Sequence, residues 1–313
     1  MGEKAKLGVL LLITLLCGFL IVEVVIRATV GVRLIARAYE DGFYQFRPNQ
    51  HGWYDPRHPP ARINNLGFRG EDIDLDSLNS SSEILFLGDS STFGWAIEED
   101  GIINRYFESV LKEKNISNVI VANAANGGYG LDHMIKAYEY SQTYRPDVVI
   151  MVMWETDFYR PLAPANIDPI KEAFWEIRKY SSGVSFVWWH FRTLQGRLFD
   201  RSNKSFAERL GGTVDGKPFK EENVKKLIDF NAELKKENST LLTVFFEYEK
   251  SNYSIQAEGM CEAHGFFCIT DTYRLLENLT FEQTRSRDRG HPSSLTNSLL
   301  AAAVFERLYD SGK

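Results

Sequence analysis

Residues 83–95 read "EILFLGDSSTFGW": an apolar run that ends in glycine and passes through Asp89 into two adjacent serines. A short apolar run without alternation is the pattern of a strand buried on both faces. Gly88 permits a sharp turn, and "GWAIEEDGIINRYF" beyond the serines leads into a helix. A serine at such a turn is lifted out of the sheet, close to main-chain amides that can stabilise an anion.

Four more runs of this kind follow, "NVIVANA" (118–124), "DVVIMVM" (147–153), "TLLTVFFE" (240–247) and "GFFCITD" (265–271). Helix-like stretches separate them, among them "GIINRYFESVLKEK", "LDHMIKAYEYSQTY", "EENVKKLIDFNAELKKEN" and "SIQAEGMCEAHG". This alternation predicts an α/β domain, a three-layer α/β/α sandwich around a five-stranded parallel sheet. Its functional residues should gather at the carboxyl ends of the strands.

Working outward, residues 28–82 form a polar and aromatic connector expected to pack on the 83–313 domain, in turns and short extended pieces. Its end, "LNSSSE", reads as a loop. Between the third and fourth strands lies an insertion, about 158–230, with an aromatic segment that includes Phe186, Trp188 and Trp189. Aromatics at helical spacing are usually core, so packing is the expected role of these three.

The first 27 residues differ in kind. "LGVLLLITLLCGFLIVEVVI", Leu7 to Ile26, carries Glu23 as its one charge. About 20 apolar residues make enough helix to span a bilayer. No small-residue cleavage site follows, which favours a retained anchor over a removed signal. Lys4 and Lys6 precede the segment while Arg27, Arg33 and Arg37 follow it, so flanking charge does not favour an outside domain. Six sequons, at Asn79, Asn115, Asn203, Asn238, Asn252 and Asn278, and the pair Cys261 and Cys268 point the other way. Two unpaired thiols are the alternative for those cysteines. An extracytoplasmic domain on a membrane helix is the expectation.

A net charge of -6 with no basic stripe leaves no footprint for nucleic acid. No metal-ligand cluster or phosphate loop appears in the sequence, so no cofactor is expected.

A serine hydroxyl needs a base to become a nucleophile. Of the six histidines, His291 in "RDRGHPSS" stands three residues after Asp288, and it follows the last strand. One local turn would let that carboxylate hold the ring and fix its tautomer. Alone, a G-D-S triplet usually caps a helix, and a D-x-x-H usually lies on a surface. In order along one α/β chain they carry more weight.

Together these blocks resemble the SGNH (GDSL-type) hydrolase superfamily, with its flavodoxin-like fold. "LGDSS" matches its first block and implies Ser90 as nucleophile, with Ser91 only a neighbour. "VANAANGGYG" matches the second and implies Gly128 as an oxyanion-hole amide; "DRGH" matches the last, implying Asp288 and His291 as its acid and base. "INNLGFRGED" and an anchor carrying "EVVIR" are similar to a membrane-attached subgroup. The third block departs: where the family has G-x-N-D, the chain has "WETD", so Trp154 replaces the glycine and Thr156 the asparagine, with Asp157 kept. A threonine hydroxyl is shorter and offers one donor. The resemblance implies a serine esterase acting on O-acyl, for instance O-acetyl, groups of a cell-surface glycan or lipid. An acyltransferase using the same serine and a glycan-binding protein on a degenerate fold are the alternatives.

Overall fold

The computed structural model describes residues 3–29, 35, 37–40, 43–53, 58–141, 143–160, 162 and 219–309. Five parallel strands form the sheet: β5 (Ser82–Gly88), β6 (Val119–Asn123), β7 (Val148–Met153), β8 (Thr240–Phe245) and β9 (Phe267–Ile269). Their order is β6-β5-β7-β8-β9. Each coincides with one of the five apolar runs: β5 begins one residue before its run, β6, β7 and β8 are one or two residues shorter than theirs, and β9 is four residues shorter.

The helices of the described residues are α1 (Glu3–Thr29), α2 (Ser90–Phe93), α3 (Ile103–Glu113), α4 (Leu131–Tyr140), α5 (Glu221–Lys236), α6 (Asn252–His264), α7 (Phe281–Thr284) and α8 (Ser294–Tyr309). Alternate residues of β5 enter different cores. Ile84 and Phe86 pack with Ile103, Phe107 and Leu111 of α3 and with Leu300 and Val304 of α8. Leu85 and Leu87 pack on the other face with Met134 of α4, Leu227 and Phe230 of α5 and Ala257 of α6. This period of two, with helices over both faces, is the expected three-layer α/β/α sandwich.

The chain leaves β5 for β6 on one side and returns for β7 on the other. The carboxyl end of β5 is therefore a topological switch point, where open α/β sheets form their crevices. Gly88 closes that strand: a Cβ there would lie 2.1 Å from Thr92 Oγ1 and 3.0 Å from the Val152 carbonyl oxygen.

In the connector, β1 (Arg37–Glu40) pairs with β2 (Phe43–Phe46), and β3 (Gln50–Gly52) with β4 (Ala61–Ile63), both antiparallel. Phe43, Tyr44 and Phe68 join the sheet's core, so the connector packs into the domain. Its "LNSSSE" end is not all loop: a 3-10 helix runs over Leu75–Ser80, capped by the Asp74 carboxylate, which accepts the Asp76 amide. The local cap outweighs the turn-forming serines.

Arg69 of the connector is 3% exposed and ties it to the turn after Ser90. Its Nη1 donates to the carbonyls of Phe93 and Gly94, both at 2.5 Å, and its Nη2 to that of Ile97 at 2.9 Å. Burial pushes its pKa down to about 10, against the raising effect of Glu99 and Glu98, so it stays charged at neutral pH. Arg69→Met keeps the volume and leaves those carbonyls without this donor. A loss of about 3 kcal/mol is expected in urea unfolding.

Cys261 of α6 and Cys268 of β9 are joined in a disulfide, with Cα atoms 6.4 Å apart. A loop this short is expected to contribute about 2.5 kcal/mol through the unfolded chain. Reduction should lower the thermal midpoint by several degrees, and Cys261→Ser with Cys268→Ser should reproduce the drop.

Helix α1 contains a 20-residue apolar span, Lys6–Val25, with mean hydropathy 2.7, long and apolar enough to cross a membrane. Phe186, Trp188 and Trp189 lie outside the described residues. The last part of the 158–230 interval begins α5, which packs on the sheet.

Candidate active site

At the end of β5 the chain turns through Asp89 into α2. Asp89, 7% exposed, caps this turn: its Oδ1 accepts the Ser91 amide at 2.8 Å, and its Oδ2 accepts the Ser90 hydroxyl at 3.3 Å. Ser91 is buried, whereas Ser90 is half-buried. The two serines of the opening stretch are thereby separated, with only Ser90 partly open to solvent.

Beside β5, the segment after β6 is held close to this turn. The Asn126 amide donates to the Gly88 carbonyl at 3.2 Å. Gly128 has φ +90°, and a Cβ there would lie 2.7 Å from Tyr44 Oη, so glycine is required on both counts. Tyr44 Oη donates to the Gly127 carbonyl at 2.9 Å, which fixes the loop from the connector side. The main-chain N–H groups of Ser90 and Gly128 donate to no group among the described residues.

After β7, "WETD" forms a 3-10 helix, Glu155–Phe158, whose N-cap is Trp154. Asp157 is fully buried, and its Oδ2 accepts the Trp154 amide at 2.9 Å. Burial, reinforced by Asp89, pushes its pKa well above the usual carboxylate range, with Arg160 opposing. Arg160 Nη1 stands 3.3 Å from Asp157 Oδ1 but donates to the Tyr129 carbonyl at 2.6 Å. The segment is thus pinned to the loop after β6. Thr156 is half-buried, and its hydroxyl makes no hydrogen bond to a described residue. Glu155 is within electrostatic reach of Tyr159 and Tyr253.

The last block lies between α7 and α8. A bridge between Arg285 and Pro292 closes this turn, and Arg289 takes φ +60° within it. His291 Nδ1 stands 2.5 Å from Asp288 Oδ2. Asp288 Oδ1 accepts from Ser286 Oγ at 2.6 Å and from the amides of Gly290 at 3.0 Å and His291 at 3.1 Å. Burial raises the Asp288 pKa, but the bonds from His291, Ser286 and Gly290 outweigh it and hold the carboxyl well below its usual range. A carboxylate that remains ionised keeps the proton of the ring on Nδ1. Nε2 makes no hydrogen bond to a described residue.

Two observations relate this turn to Ser90. Asn297 of α8 donates to the Gly101 carbonyl at 2.9 Å, joining the C-terminal helix to the loop that follows the serine. Tyr248, just past β8, is within electrostatic reach of both Asp288 and Asp89. Sequence reasoning missed Tyr248, along with Asp89 as a partner of the serine hydroxyl. Asp89 was within view, since Asp one residue before a helix is a capping signal.

Solved structures with a similar path include TesA, at 11% identity and TM-score 0.47, covering 73% of this chain and 99% of that one. An acetylxylan esterase from Geobacillus stearothermophilus is 16% identical, with TM-score 0.45, covering 73% and 95% respectively. A lipolytic protein of the G-D-S-L family from Veillonella parvula is 15% identical, with TM-score 0.41, covering 72% and 97%. No protein-family model matches it, and no curated protein matches it in sequence.

Proposed function

We propose that the chain is a membrane-anchored serine esterase of the SGNH type, with Ser90 as nucleophile, His291 as base and Asp288 as the group that orients His291. The observation that carries this reading is the Asp288 carboxylate 2.5 Å from His291 Nδ1, with three further donors on its other oxygen. Such a carboxylate fixes the tautomer that presents Nε2 as an acceptor.

The Ser90 hydroxyl turns from Asp89 towards His291 Nε2 by a change of staggered rotamer. Ser90 Oγ then attacks the ester carbonyl as its proton passes to Nε2. The carbonyl electron pair moves onto oxygen, where the Ser90 and Gly128 amides receive it, assisted by the Thr156 hydroxyl. When the tetrahedral species collapses, the alcohol leaves with the proton from His291. Water, deprotonated by the same ring, attacks the acyl-enzyme, and the ring returns that proton to Ser90 Oγ as the acid leaves.

Thr156 is the departure that bears on rate. Removing one oxyanion donor typically costs about 10²–10³ in turnover. A site with two main-chain donors and a shorter third one retains activity at a reduced rate.

The substrate class is an O-acyl, for example O-acetyl, ester on a cell-surface glycan or lipid. The membrane-length helix α1 supports anchoring beside such a substrate. The Cys261–Cys268 disulfide supports an extracytoplasmic domain, since such bonds persist in oxidising compartments. The test is acetate release from O-acetylated polysaccharide by the full chain in detergent, with glycan acceptors added. Acetate in water is the expected product; acetyl appearing only on the acceptor would make the chain an acyltransferase.

A further inference from the structure

Beside the proposed triad, three polar atoms are buried without a hydrogen-bond partner among the described residues: Trp154 Nε1, Tyr248 Oη and Arg285 Nε. They belong to one cluster. The Trp154 and Tyr248 rings are 5.2 Å apart, and Arg285 Cζ lies 3.1 Å from the centre of the Tyr248 ring. The guanidinium therefore lies over the ring, with the Tyr248 hydroxyl also close enough to act on its charge. The Phe281 ring centre lies 5.3 Å from the same Cζ.

Each unpartnered group is a donor, and buried donors in folded proteins almost always find an acceptor. Two are neutral and the third is a full cation. Arg285 makes no ion pair with a described residue. Burial lowers the Arg285 pKa, with Tyr248 and nearby Glu249 opposing, and Glu249 is exposed and not paired with it. Stacking orients a guanidinium and leaves its edge for a planar acceptor with two oxygens. The cluster flanks the machinery: Arg285 is three residues before Asp288, Trp154 is two before Thr156, and Tyr248 senses both Asp288 and Asp89.

We propose that Arg285, stacked on Tyr248 and joined by Trp154, forms a subsite for a carboxylate on the substrate, so that the favoured ester lies on an acidic sugar. This deepens the esterase reading and rests on it for the word substrate. The acids of the site do not forbid such a ligand: the Asp288 charge is engaged by His291, and Asp89 is engaged by the Ser90 hydroxyl and the Ser91 amide.

The test reads binding, so that it stands apart from catalysis. A short oligogalacturonate, the same oligomer with its carboxyls converted to amides, and a sugar phosphate are titrated into the full chain in detergent. Wild type, Ser90→Ala, Arg285→Gln and Arg285→Lys are compared, with circular dichroism as the folding check. Expected is at least about tenfold tighter binding of the acid than of the amide by wild type and Ser90→Ala. Arg285→Gln should lose this difference and Arg285→Lys recover part of it. Equal binding of acid and amide, or a preference untouched in folded Arg285→Gln, overturns the subsite. Tighter binding of the sugar phosphate overturns the carboxylate assignment. Arg285-dependent binding in a protein with no ester hydrolysis keeps the subsite and removes the esterase reading instead.

Discussion

Ser90→Ala should abolish ester hydrolysis, lowering kcat by about 10⁴-fold or more while leaving the fold intact. The size follows from the chemistry: without the hydroxyl no acyl-enzyme forms, and only binding and the oxyanion amides remain to accelerate attack by water. The fold should survive because Ser90 Oγ makes one long bond, 3.3 Å to Asp89, and the Asp89 cap on the Ser91 amide persists. Ser91→Ala is the comparison. Ser91 is buried, and its substitution should affect turnover by less than about tenfold, within the range of minor repacking. Initial rates on an aryl acetate, with circular dichroism on each variant, make the measurement.

Asp288→Asn should lower kcat by about 10⁴-fold at neutral pH. An amide is nearly isosteric with the carboxylate, but one of its two positions presents N–H where Oδ2 now faces His291 Nδ1. With N–H there, the ring proton moves to Nε2 and the base is lost. With oxygen there, the tautomer is kept, but the imidazolium formed during attack loses its countercharge. The Ser286, Gly290 and His291 donors to Oδ1 would also meet an amide nitrogen in the second of these arrangements. A pH–rate profile separates this from unfolding, because partial recovery at high pH should appear as hydroxide replaces the missing base.

The same residue sets an acid limit on stability. Its folded pKa is depressed, so its stabilisation is fully present above the unfolded value of about 3.9 and is lost as pH falls below that value. Asp288→Asn should flatten this part of the acid denaturation curve. The effect is moderate, since the side chain is 24% exposed and partly screened by solvent.

Legibility in the sequence followed the range of the interactions. β5 to β9 were readable because each is buried on both faces, which forces a continuous apolar run. The Asp288–His291 contact was readable because it closes within one turn of chain. Strand order was not readable, since near-identical apolar runs do not encode which neighbour each takes. Arg69 looked like one more charge in a polar connector. Only the fold brings it under the Phe93 to Ile97 carbonyls. Trp154, Tyr248 and Arg285 are spread over three connections, and no spacing rule joins them. The 3-10 helix over Leu75–Ser80 depends on one capping aspartate, a signal weaker than three serines in a row.

The central claim is that Ser90, and not Ser91, is an activated nucleophile. The direct measurement is labelling of the full chain in detergent with a fluorophosphonate, across about pH 6 to 9, with the adduct located by mass. The account predicts a single phosphonyl adduct on the peptide carrying Ser90, retained in Ser91→Ala and absent from Ser90→Ala and His291→Ala. Folded protein that takes no label at any pH, or labels equally in Ser90→Ala, would contradict it.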